Sequence, residues 1–211
     1  MAKPTDQPTP LAPPAEADAP AERRRPALLL AVAAGLCWAC AVALLISGGL
    51  DAERNVLSAP RLIFDLLVLL AGLLTFVPAQ RSLGLPGLAF EGVAGTSLLL
   101  YTLAFVPPPT GWLLALPDTP VYLIFAAALF WSASAIALPA VYALGKWLFR
   151  QRARQYDLRR ARRQAHEFGA LAAASAGLAG LRLLTLFGMA LVALILVVAE
   201  LLFLSFIETE T

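Results

Sequence analysis

Chemistry-bearing residues are scarce in this chain. Its 211 residues include one histidine, His166, two cysteines, Cys37 and Cys40, and only 14% charged residues, where a water-soluble domain carries about a quarter. A single histidine excludes bis-histidine haem ligation and a histidine-based zinc site within one chain. Two cysteines inside one apolar run exclude an extracellular disulfide framework and a Cys-rich zinc module. The phosphate-cradling GxxxxGK[ST], the dinucleotide GxGxxG, the nucleophile elbow GxSxG, the zinc-binding HExxH and the NxS/T glycosylation acceptor are all missing. The expectation is a protein without enzymatic activity, cofactor or metal.

What is present is apolar sequence, 60% of the chain. Five blocks, approximately Ala27–Leu50, Leu62–Ala79, Leu88–Val106, Val121–Phe149 and Leu183–Ile207, are each long enough for a hydrocarbon core about 30 Å thick, which needs roughly 20 apolar residues per helix. Lipid leaves each segment to satisfy its own backbone groups, so the blocks read as helices. The fold class expected is all-α, a polytopic transmembrane bundle of five spans.

Residues 1–26 are rich in Pro and Ala and end in Arg23-Arg24-Arg25, a composition with too little apolar surface to offset chain entropy; they read as a disordered cytoplasmic tail. The apolar run that follows is too long for a cleaved signal peptide and reads as an uncleaved anchor. Placing the tail inside puts Arg81 and the Lys146–Arg163 cluster on the same side, with Arg54 and Arg61 outside. The Pro107–Pro120 loop has no Lys or Arg and residues 208–211 are acidic, so both fit the outside and the topology reads N-in/C-out. Trp112 and Tyr122 would join an outer aromatic belt and Trp147 an inner one.

Pro139 should bend the fourth helix. Residues 150–182 read as a basic cytoplasmic extension of that helix, followed by an interfacial or re-entrant Ala/Gly-rich segment at 168–180. Full insertion of that segment would add a sixth crossing and bring the C-terminus inside.

Few residues offer chemistry. Arg61 and Asp65, four apart, suit an ion pair at a helix end, or Asp65 is an intramembrane proton or cation site. Glu200 has no basic residue within four positions, so it needs a proton, a partner on another helix or a second protein. In the five-span topology Asp65 and Glu200 share the outer leaflet. Cys37 and Cys40 have dithiol spacing, but at mid-helix they read chiefly as small apolar residues. Small residues recur every four positions at Ala31, Gly35, Ala39 and Ala43, and again at Gly169, Ala173 and Gly177, a pattern that permits close helix approach.

Arg150, Arg152, Arg154, Arg159, Arg160, Arg162 and Arg163 form a basic cluster suited to anionic lipid headgroups rather than nucleic acid. These features point to an accessory or scaffold subunit of a membrane complex, most simply in a bacterial-type cytoplasmic membrane, alone as a homo-oligomer or with a protein partner. Two alternatives are a small carrier using Asp65 and Glu200, and a membrane thiol oxidoreductase using Cys37 and Cys40.

Overall fold

A computed structural model describes residues 19–48, 50, 57–107, 118–148 and 157–208, with side chains described from 28 to 202 and at 205 within those stretches. Among the described residues all regular structure is helical: α1 (Ala19–Ile46), α2 (Ala59–Leu83), α3 (Leu88–Phe105), α4 (Thr119–Leu148), α5 (Leu158–Gly180) and α6 (Leu186–Glu208). Four are long and apolar enough to cross a membrane, over Leu28–Ile46, Ala59–Leu83, Leu88–Phe105 and Thr119–Leu148, while Leu186–Leu202 is a shorter apolar helix. The chain is a helical bundle of membrane-protein character.

The helix ends follow local chemistry. Pro60 opens α2, where its missing N–H is not needed. Gly84 closes it with φ 66°, and the N–H of Leu85 donates to the Gln80 carbonyl at 3.1 Å, a left-handed cap that glycine adopts without strain. Asp157 caps α5 by accepting the Arg160 N–H at 3.0 Å. Helix α1 begins at Ala19, so residues 19–26, expected in the tail, are helical; Ala, Glu and Arg are good helix formers. The rest of the expected tail lies outside the described residues, as do Arg54, Trp112, Arg150, Arg152, Arg154 and residues 209–211. Helix α4 runs on through Pro139.

Consecutive helices pack on one another, and the chain folds about two apolar centres. One joins Ala41 of α1, Phe64 and Val68 of α2 and Phe105 of α3, with Phe64 and Phe105 meeting edge to face at 5.7 Å. The other joins Phe76, Leu85 and Leu88 at the α2–α3 turn with Ala135 and Leu138 of α4 and Ala161 and Ala165 of α5. Because α2 and α3 each reach both centres, these mark opposite ends of the bundle, here the upper end (start of α2) and the lower end (the α2–α3 turn).

The main departure from the sequence reading concerns residues 158–180. They form one continuous helix that runs antiparallel along α4. Arg160 lies by Gly145, Ala161 and Ala165 pack with Leu138 and Ala135, Gly169 meets Ser134 and Phe130, and Ala176 and Gly177 line a cavity with Thr119 and Tyr122. Small residues explain the path. A Cβ on Gly169 would collide with the Ser134 hydroxyl and come to 2.6 Å from the Phe130 carbonyl, so the backbones approach closely only because glycine stands there. Helix α6 then turns back, with Gly188 near Leu178 and Glu200 bonded to Arg163.

Candidate polar clusters

The lower end holds a cross-helix cluster. Glu200 of α6 finds the partner it lacks in sequence: Arg163 Nε donates to Glu200 Oε1 at 3.2 Å, and a terminal guanidinium nitrogen lies 3.1 Å from the same oxygen. Glu167, one turn beyond Arg163 on α5, places a second carboxyl within hydrogen-bonding reach of Glu200. Next to them, Arg162 donates to the Pro86 carbonyl and lies 3.8 Å from Glu91. His166 stacks at a tilt on Phe130 of α4, ring centroids 5.7 Å apart. The start of α5 is thereby tied to α6 on one side and to the α2–α3 turn on the other.

The upper end holds a different arrangement. Arg61 is buried, with 8% of its surface exposed, and turns to the aromatic side chains of α3 rather than forming a close ion pair with Asp65. Its guanidinium donates to the Tyr101 hydroxyl and stands 4.1 Å over the Phe105 ring, a cation–π contact worth about 1–2 kcal/mol when desolvated. The α3 aromatics outcompete the carboxylate four residues away because they enclose the charge on a packed face. Arg61 Nε stays without a partner, and so does the buried hydroxyl of Ser97.

Asp65 and Glu200 therefore lie at opposite ends, Asp65 one turn from Arg61 in the upper centre and Glu200 beside Arg163 in the lower. The structure does not bring the two acids together. Cys37 is half-buried and Cys40 exposed on α1, and both thiols are free. Of the small-residue stripe on α1, Ala31, Gly35, Ala39 and Ala43 face outward, while Ala34 and Ala41 are buried and Trp38 Nε1 donates to Thr75 of α2 at 3.0 Å. Of the basic cluster, Arg159 is exposed and Arg160, Arg162 and Arg163 are partly buried at the start of α5.

Sequence reasoning missed Glu167, Tyr101 and Ser97. Glu167 had a signal, since it follows Arg163 by four residues and so shares its helix face. Tyr101 and Ser97 had none beyond their polarity within an apolar block.

No family model, no curated protein and no solved structure matches this chain. The class that the fold defines is an all-helical bundle with four apolar helices long enough to cross a membrane.

Proposed function

We propose that this protein is a non-enzymatic accessory or scaffold subunit of a membrane complex, set in a cytoplasmic membrane of bacterial type. The observation that carries this reading is the use made of its charges. The described Arg, Glu and aromatic side chains with polar partners spend them on helix-to-helix ties, Arg61 to Tyr101, Arg162 to Pro86 and Glu91, Arg163 to Glu200. Meanwhile α1 and α6 flank the bundle and turn large apolar residues outward, among them Leu36, Ile46, Phe187, Leu194 and Ile195. Such faces suit lipid and partner helices. The carrier alternative draws no support from the opposite placement of Asp65 and Glu200, and the thiol alternative none from an exposed Cys40.

The antiparallel course of α5 along α4 supports six crossings rather than five, with both ends in the cytoplasm. Every Lys and Arg except Arg54, Arg61 and Arg182 then falls inside, and the acidic C-terminal residues do not oppose this, because Asp and Glu contribute little to orientation. Arg159 and Arg160, with Arg150, Arg152 and Arg154, would meet anionic headgroups of the inner leaflet, each adding on the order of 1 kcal/mol. Nucleic acid has no place in the reading.

Purification of the tagged protein from its native membrane in mild detergent, with mass spectrometry of what accompanies it, tests the function. A stoichiometric protein partner is expected. A clean monomer or homo-oligomer that also drives solute flux in proteoliposomes would contradict it.

A further inference from the structure

The contact between α5 and α6 turns on three ionisable side chains. Arg163 Nε donates to Glu200 Oε1 at 3.2 Å, and the Glu167 carboxyl, one turn further along α5, stands within hydrogen-bonding reach of the same Glu200. An ionised carboxylate only accepts hydrogen bonds, so a direct bond between two carboxyl groups needs a proton on one of them. With that proton the three groups sum to zero charge. Without it they carry a net negative charge beside the apolar Leu171, Ala193, Leu196 and Val197 that line the adjoining hollow, where an unbalanced charge is costly.

The other charges nearby are engaged elsewhere. Between Leu186 and Leu202, Glu200 is the only ionisable group that α6 brings. On α5, Arg162 is held by Pro86 and Glu91, Arg160 lies by Gly145, and His166 lies on Phe130 of α4. From α4, on the opposite face of α5, Lys146 stands 4.7 Å over the Tyr142 ring. One guanidinium, that of Arg163, thus faces two carboxyl groups.

We propose that Glu167 and Glu200 form a proton-operated latch for α6: with one proton held between them α6 is docked on α5, and when the Glu167 O–H bond breaks and the proton passes to water α6 is released. Because the docked pair holds a proton that the separated helices give up, docking weakens as pH rises. Large apolar residues of α6 stay exposed, Leu194, Ile195 and Leu201 among them, so apolar packing within the chain does little to hold the helix in place. The latch depends on the seating of α6 and is independent of whether the protein is a scaffold.

The test is a pulsed electron spin resonance distance measurement on the full-length chain in liposomes, with nitroxide labels at Ile136→Cys of α4 and Leu194→Cys of α6, both exposed positions, in a Cys37→Ala, Cys40→Ala background. From about pH 5 to about pH 9 the distance should shift by about 5 Å or more, half the width of a helix. Infrared difference spectra over the same range should show the loss of a protonated-carboxyl band. Glutamine at 167 keeps an N–H donor for Glu200 at every pH, so Glu167→Gln should hold the docked distance throughout and remove that band. Asp65→Asn, at the other end, should leave both changes in place. Should Glu167→Gln not fold, the native titration decides alone. A distance that does not move with pH, a step without loss of the carboxyl band, or a step that survives Glu167→Gln overturns the proposal. So does a step set by sodium concentration at fixed pH, which would put a cation rather than a proton between the acids.

Discussion

Helix α5 meets its two neighbours by opposite chemistries. Toward α4 it presents Ala161, Ala165 and Gly169, a stripe of small residues that seats the two backbones against each other along most of their length. Toward α6 it presents Arg163 and Glu167, and the contact is held at one point by Glu200, with a small apolar hollow of about 150 Å³ between Leu171 and Ala193 beside it. The first contact gains many weak dispersion terms from close fit. The second relies on one strong electrostatic tie in surroundings that punish its loss. Close fit fixes a helix along its length, whereas an ion pair fixes one register and leaves the rest adaptable.

Breaking the close fit should have the largest effect. Gly169→Leu forces a side chain into Ser134 and the Phe130 backbone, and overpacking of this kind should cost more than about 3 kcal/mol. Loss of folded protein from mild detergent, followed by fluorescence-detected size-exclusion chromatography, would register it; a well-behaved variant with native melting would show that the helices are not seated there.

Removing the ion pair comes next. Glu200→Gln leaves the Arg163 charge half-buried opposite a neutral amide and should cost about 1–3 kcal/mol. Charge exchange, Arg163→Glu with Glu200→Arg, should recover part of that loss in a double-mutant cycle of thermal unfolding, although Glu167 then faces a second acid at 163. Additive losses with no recovery would mean that the two residues do not act on each other.

The smallest effect belongs to the other small-residue stripe. Gly35 on α1 has nothing within 4 Å of where a Cβ would stand, so Gly35→Leu should change intramolecular stability by less than about 0.5 kcal/mol. The same substitution sharpens the functional reading, since a partner helix seated on Ala31, Gly35 and Ala39 would be displaced and disappear from the purified complex. A large loss of monomer stability would mean that the stripe packs within the chain after all.

The contrast also explains what could be read from sequence. Long apolar blocks announce α1 to α4 because lipid exposure demands hydrophobicity on nearly every face. Helix α5 was hidden because its packing on α4 uses Ala and Gly, whose smallness matters more than their hydropathy, and because its first turns are full of Arg. The same stripe pattern packs inward at Gly169 and faces outward at Gly35, and spacing alone does not separate the two. Glu200 was legible as a residue in need of a partner, but Arg163 lies 37 positions away and only the return of α6 brings them together. Arg61 misled in the opposite direction: Asp65 four residues on was the obvious local partner, and Tyr101, 40 residues distant, took the contact.

Helix α5 runs back along α4, and the six-crossing topology proposed above would put the turn at 181–185 and the end of α6 on opposite sides of the membrane. The most direct measurement is labelling by a membrane-impermeant maleimide in a Cys37→Ala, Cys40→Ala background, with single cysteines at Arg182→Cys and Glu208→Cys. The account predicts that Arg182→Cys is labelled on intact cells and Glu208→Cys only after permeabilisation. The reverse result, with Glu208→Cys labelled from outside and Arg182→Cys protected, would contradict it and restore five crossings with the C-terminus out.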